Sequence, residues 1–306
     1  MIFRDLFSLF DRLDFDDLGW ASSAKRLVHG RGRQFPGFEN VTIEWFPPYL
    51  IIFLHRPLAP EITASIKEYF AQLDRPQIHG IFMQTRDLGK AFWEILKGPM
   101  PDKPVVVREG PFQFLIKLGR DQNIGLFLDM APLRLWLLLN SSGKTVLNLF
   151  SYTCALSVAA AKGQARQVHN VDMRKNFLTW GRENHTLNQC QGSFFYHPLD
   201  ILKSFGRLTR LGPFDLIIID PPSHQESFSL ERNYARILKR VPEWLSPGGT
   251  LVLVANDPVL ARDNFRSMAE QALGPLFQFL CWGDGPTIPL GTDANFPVKV
   301  AFYKMN

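Results

Sequence analysis

Residues 214–223, FDLIIIDPPS, decide how the rest of the chain is read. Leu216 to Ile219 form an unbroken apolar run of the kind a strand shows when both its faces are buried, and the proline pair ends it, which leaves Asp220 at the strand tip. Working outward from this strand, TVLNLF (145–150) and QVHNV (167–171) read as strands of the same kind. A small-residue helix from Tyr152 to Lys162 separates them, a helix from Arg174 to Asn188 follows, and then a strand, SFFYH. Beyond Pro222 come a polar helix from about Ser229 to Leu245, the strand TLVLVA after Pro247-Gly248-Gly249, a helix from Pro258 to Leu273, and two closing strands, LFQFLCW and FPVKVAFY. Strand and helix in alternation imply an α/β fold with a doubly wound, mostly parallel, Rossmann-like sheet. Ligands of such sheets bind beyond the carboxyl ends of the strands, so the loops at 148–154, 172–175, 200 and 220–226 are the expected site.

The N-terminal third has a different pattern. Residues 1–24 carry two Arg against five Asp, with Leu6, Phe7, Phe10 and Leu13 at helical spacing, which predicts an amphipathic helix that packs on the body of the protein or on a partner. KRLVHGRGR (25–33) reads as a flexible basic loop. VTIEWFPPYLIIFL reads as a hairpin turning at Pro47-Pro48, followed by a helix from Glu61 to Leu73, the strand IHGIFMQT, and the strands PVVVREG and FQFLIKLG. The expected organisation is an N-terminal helix and basic loop over 1–30, a smaller α+β domain over 31–108, and the large α/β domain over 109–306.

With 306 residues, 46% apolar and 21% charged, the chain is too hydrophobic and too weakly charged to be disordered. No apolar run approaches the ~20 residues of a spanning helix, and the acidic N-terminus lacks the basic start of a secretory leader, so the cytoplasm is the expected compartment. Cys154, Cys190 and Cys281 are widely spaced, which argues against a disulfide framework or a metal site. The net charge of +5 admits nucleic acid as a partner.

The strand tips carry the chemistry. Asp172 follows the second large-domain strand about 20 residues after the first turn, the spacing at which a carboxylate grips ribose hydroxyls. The first turn, Asn148 to Cys154, contains no glycine, so a dinucleotide pyrophosphate is disfavoured and a ribose-bearing cofactor without phosphates is favoured. As ordinary structure, Asp172 and Asp200 also read as helix N-caps.

VLNLFSYT, VDMRKNFLTWGRENHTLN and FDLIIIDPPS together resemble the cofactor strand, ribose region and Asp-Pro-Pro motif of class I S-adenosylmethionine-dependent methyltransferases. Within that family the likeness is nearest to the large-subunit ribosomal RNA methyltransferases K/L and more distant to methyltransferase I. GLFLDMAPLR (125–134) resembles the segment preceding their catalytic domain. The resemblance implies S-adenosylmethionine as cofactor. It places Asn148, Phe150, Ser151, Tyr152 and Thr153 around the methionine part, Asp172 and Met173 at the ribose, Asp200 at the adenine, and Asp220, Pro221 and Pro222 in the methyl-acceptor pocket. It also shows three departures: Cys154 stands for a glycine, Ala131 for an arginine, and His224, available to stack on a base, for an aromatic.

Methylating a carbon such as cytosine C5 requires a cysteine thiolate. No cysteine stands at a suitable strand tip, and the TLVLVA strand ends in Ala255-Asn256-Asp257, so a nitrogen acceptor is expected, a guanine ring nitrogen or an exocyclic amine; between them, the resemblance to the K half of the K/L enzymes implies guanine N7 over N2. RNA docking is assigned to Lys25, Arg26, Arg31 and Arg33 and to a basic helix stripe of Arg232, Arg236, Lys239 and Arg240. The competing readings are methylation of a small-molecule or protein amine, and an RNA-binding protein with an impaired cofactor site.

Overall fold

The computed structural model describes residues 2–15, 22–32, 35–222, 230–257, 260–285, 288–290 and 298–306. They fall into two compact units, one running to Asp129 and including 288–290, the other starting at Met130. The sequence reading divided the chain at 108. Contacts within the first unit carry that unit further: the Ala24 amide donates to the Arg108 carbonyl (2.6 Å), and the Gln84 side chain to the Asp121 carbonyl (3.2 Å).

The first unit holds a five-stranded sheet in the order β1 (Lys25–His29), β2 (Val41–Phe46), β3 (Tyr49–Leu54), β4 (Gly80–Asp87) and β5 (Lys90–Lys97). β3 and β4 are parallel, joined through α2 (Pro60–Gln72), and the other pairs are antiparallel. β2 and β3 turn at Pro47-Pro48 with Phe46 opposite Tyr49, as the hairpin reading expected. The basic-loop reading of 25–33 is corrected, because Lys25–His29 is strand β1 and Gly30–Gly32 a single 3₁₀ turn. β5 was not anticipated, and a hairpin of β6 (Val105–Glu109) and β7 (Phe112–Ile116) completes the unit.

α1 (Ile2–Asp11) packs on its own chain. Leu6 and Phe10 enter one core with Ile43, Trp45, Leu50 and Ile52 from the sheet and with Ile66 and Phe70 of α2, and Phe7 stacks on Tyr69 at 4.1 Å. The helical spacing that puts Leu6 and Phe10 on one face is what makes this burial possible.

The second unit is a seven-stranded sheet in the order β10-β9-β8-β11-β12-β14-β13, formed by β8 (Thr145–Leu149), β9 (Gln167–Asp172), β10 (Ser193–Pro198), β11 (Phe214–Ile219), β12 (Leu245–Asn256), β13 (Phe277–Trp282) and β14 (Val298–Met305). β10 to β12 are mutually parallel, and β14 runs antiparallel between β12 and β13. This is the doubly wound, mostly parallel sheet read from the sequence. Its helices are α3 (Ala131–Asn140), α4 (Ala155–Lys162), α5 (Lys175–Leu187), α6 (Phe205–Leu211), α7 (Ala235–Leu238) and α8 (Arg262–Leu273). Strand β8 is buried along its whole length and β11 everywhere but Asp215, and their apolar residues pack on both faces of the sheet.

The long polar helix expected over 229–245 is corrected. The chain makes a π-turn (Leu230–Tyr234), the short α7 and a 3₁₀ turn (Val241–Glu243), and enters β12 at Leu245. Pro242, with no amide proton, cannot continue an α-helical ladder. α3 was not recognised as a helix.

Since Phe10 is buried in the core that α1 shares with the sheet and α2, Phe10→Ala should lower stability by about 3–5 kcal/mol. Thermal melting followed by circular dichroism measures this; an unchanged transition would mean that α1 does not contribute to the folded unit.

Candidate active site

Because β8, β9, β10, β11 and β12 are parallel, their carboxyl tips emerge along one edge of the sheet. That edge gathers the 150–154 turn, Asp172, Asp200, Asp220-Pro221-Pro222 and Asn256. The order reverses between β8 and β11, the crevice where such sheets hold ligands.

The first turn is unusual in its backbone. Phe150, Tyr152 and Cys154 all have positive φ, at 59°, 47° and 61°. Positive φ disfavours residues with a Cβ by about 1–2 kcal/mol. The turn is held by hydrogen bonds from the Ser151 amide to the Val171 carbonyl (3.0 Å) and from the Cys154 amide to the Ser151 carbonyl (2.7 Å). The buried Asn184 amide donates to the Thr153 carbonyl at 2.9 Å. Cys154 thus occupies a left-handed position suited to glycine. Its fully buried side chain lies against Gly181 on α5, where an added Cβ would stand 2.2 Å from the Cys154 Sγ. Burial pushes the thiol far above its ordinary range, which disfavours the nucleophilic thiolate.

Asp172 ties two turns together. Its Oδ2 accepts from the Tyr152 amide and its Oδ1 from the Arg174 amide, each at 2.9 Å. Burial raises its carboxyl above the ordinary range, against the lowering effect of those two amides and of the Arg174 charge. A carboxylate offers about four acceptor sites, so these amide bonds leave acceptor capacity for a pair of vicinal hydroxyls. Met173, beside it, is 60% exposed. Tyr152 turns its ring onto Phe177 (centroids 4.6 Å apart).

Asp200 caps the 3₁₀ turn Ile201–Lys203, accepting from the Leu202 amide at 3.0 Å, so the N-cap reading and the strand-tip position both hold. Asn148 is a correction. Its side chain is buried and donates to the Ser157 hydroxyl on α4 (2.8 Å), so it braces β8 against α4 and does not line the edge. Arg26 is another: its guanidinium is buried against Glu44 (2.8 Å) and Asp129 (3.5 Å), an internal ion pair and not a surface contact. Arg240 is engaged by Glu243 (2.9 Å), whereas Arg232, Arg236 and Lys239 are exposed. Lys25 lies half-buried on β1. His224 and Arg33 lie outside the described residues.

Sequence reasoning missed two groups at this edge. The buried Tyr234 hydroxyl lies 3.2 Å from the Ile219 carbonyl and 3.3 Å from that of Val254, bridging the ends of β11 and β12 directly below Asp220 and Asn256. Lys299, buried on β14, donates to the Asp257 carbonyl just beyond β12. Both come from segments outside the motif loops; a tyrosine inside a basic helical stretch is the signal that pointed inward.

Residues 25–287 match the family of S-adenosylmethionine-dependent methyltransferases. The chain belongs to that family. It is 32% identical over 234 residues to a ribosomal RNA large subunit methyltransferase K/L from Hahella chejuensis, covering 71% of this chain and 32% of that protein. The corresponding protein of Alteromonas mediterranea is 29% identical over 78% of this chain and 36% of its own length, so the chain spans about a third of these relatives. Among solved structures, a SAM-dependent methyltransferase described from Streptococcus mutans superposes with a TM-score of 0.87 at 25% identity, over 99% of this chain and 81% of that one. A further methyltransferase structure, complexed with SAH, gives 0.86 at 25% identity over 98% of this chain and 81% of that one. The enzyme uses S-adenosylmethionine, whose sulfonium supplies an electrophilic methyl group. A ribose-bearing group without phosphates fits the turn as found: Asp172 has acceptor capacity for hydroxyls, and no glycine-rich stretch offers a pyrophosphate cradle.

The contact between Cys154 and Gly181 predicts a coupled pair. Gly181→Ala should destabilise by about 1–3 kcal/mol through overpacking, and most of that cost should vanish in a Cys154→Gly background. Thermal melts of the two single variants and the double variant measure the coupling; strictly additive effects would contradict the packing described.

Proposed function

We propose that the protein methylates a guanine nitrogen of large-subunit ribosomal RNA in the cytoplasm, with N7 preferred over N2. The observation that carries this reading is the Asp220-Pro221-Pro222 tip of β11 in a chain whose relatives are named as ribosomal RNA large subunit methyltransferases. In this reading Asp172 and Met173 hold the ribose side of the cofactor, Asp200 faces its adenine, and the 150–154 turn passes beneath its methionine part.

Displacement at a sulfonium methyl is in-line, so the protein's work is alignment and exclusion of water. A guanine N7 already presents an in-plane lone pair. Asp220 and the proline-fixed carbonyls beside it orient the base, while Tyr234 positions the β11 and β12 tips from below. No cysteine is needed for an acceptor of this type: Cys154 is sealed in the turn, Cys190 is half-buried and Cys281 is exposed on β13. The impaired-site alternative draws on Cys154 and Ala131; the left-handed backbone already adopted by Cys154 speaks for a functional turn.

Two substitutions separate the roles. Asp172→Ala should weaken S-adenosylmethionine binding by at least tenfold, about 1.4 kcal/mol or more, by calorimetry. Asp220→Ala should leave that affinity within about twofold yet slow methyl transfer by about a hundredfold, in the range for loss of a positioned catalytic group. Mass spectrometry of nucleosides from large-subunit ribosomal RNA of a deletion strain should show loss of one methylguanosine. An unchanged nucleoside profile would sink the RNA reading, and retained cofactor affinity in Asp172→Ala would sink the ribose assignment.

A further inference from the structure

One end of the five-stranded sheet collects more positive charge than the catalytic edge explains. The strand directions bring it about: β1 ends, β2 begins, and β3 and β4 end at the same side. His29 at the end of β1 pairs with Thr42 at the start of β2, and Thr42 Oγ1 lies 2.9 Å from His55 Nε2 just past β3. Arg31 follows His29 in the 3₁₀ turn, Arg56 follows His55, and Arg86 near the end of β4 lies over the Phe53 ring at 5.6 Å.

The charges around this end do not cancel. Arg26, Arg31, Arg56 and Arg86 stand against the carboxylates of Glu44 and Asp129, which leaves a surplus of positive charge. Arg26 takes up Glu44 and Asp129 (2.8 and 3.5 Å). Arg86 is spent on Gln84 (2.9 Å) and the Gln122 carbonyl (3.2 Å). Among the described residues no hydrogen bond or salt bridge holds the half-buried Arg31 guanidinium or that of the exposed Arg56.

His55 supplies a second observation. Its Nδ1 is buried without a hydrogen-bond partner. After burial itself, the charge acting most strongly on this ring is Arg31, then Arg86 and Arg26. The Thr42 hydroxyl and Nε2 share one hydrogen bond whose direction follows the tautomer; in the tautomer with the Thr42 hydroxyl donating, the Nδ1 proton is a buried donor without a partner. A buried donor left unmade costs about 1–3 kcal/mol, and a cation held beside like charges is costly as well; one anion at this place relieves both.

We propose that Arg31, His55 and Arg56 form a phosphate-binding subsite at the end of the five-stranded sheet, occupied by the backbone of the RNA substrate. The identity of the polymer rests on the RNA reading above; the anion does not. Arg31 was expected from the sequence to meet RNA, whereas His55 and Arg56 are new, and the partner is one phosphodiester held by three side chains in place of a diffuse basic loop.

Two measurements test it on the full-length protein. Inorganic phosphate is titrated against the wild type while the histidine ring resonances are followed by nitrogen-15 NMR, with His55 assigned through His55→Gln. A saturable shift of the His55 signals, abolished in the Arg31→Gln/Arg56→Gln variant, is expected; an absent shift in the wild type overturns the subsite. Binding of deproteinised large-subunit ribosomal RNA is then measured across salt concentrations. The double variant should bind about tenfold more weakly, with the log–log salt slope smaller by about two, while cofactor affinity and melting temperature stay unchanged. A phosphate shift with unaltered RNA affinity overturns the RNA assignment and identifies a free phosphorylated ligand. A phosphate shift in a wild type that binds no RNA removes the functional reading and leaves the anion site standing.

Discussion

The Asp172 carboxylate is the constraint on which the catalytic edge depends. One oxygen secures the amide of Tyr152 in the first turn and the other that of Arg174 at the start of the next. Between Phe150 and Cys154 three non-glycine residues take left-handed backbone angles, a conformation that costs free energy at each. The amide bonds of Ser151 and Cys154 and the buried Asn184 side chain offset that cost, so the turn keeps a shape that its composition alone would not choose. The same carboxylate that shapes the turn keeps acceptor capacity beyond its two amide bonds, and under the proposed function that capacity meets the cofactor's ribose hydroxyls.

Much of this arrangement was legible in the chain itself. The strand-like runs at 145–150, 167–171 and 214–219, separated by helices, set a parallel direction, so the alignment of Asp172, Asp200 and Asp220 followed. The family resemblance agreed with that reading and the comparisons bear it out. What escaped was local. Arg26 looks like a surface cation beside Arg31 and Arg33, and only the register of β1 against β2, which sets it opposite Glu44, shows that it is an internal ion pair. Asn148 has the composition of a site residue, but strand alternation points it at Ser157. Cys154 raised doubt about the turn because the room made for it by Gly181, distant in sequence, has no local signature.

The two units divide labour by charge as well as by fold. The second presents carboxylates at its strand tips, suited to hydroxyls and amines. The first concentrates guanidinium groups at one end of its sheet, suited to an anion. Both arrangements use the same principle: strands ending on one side bring together residues that are remote along the chain.

The placement of β14 also bears on biosynthesis. This strand, residues 298–305, is inserted between β12 and β13 and pairs with both. Among the described residues the outer strand β13 therefore has no strand partner until residues 298–305 emerge from the ribosome. Nascent chains must wait with the β12 edge uncovered, an apolar margin that chaperones would be suited to shield during translation.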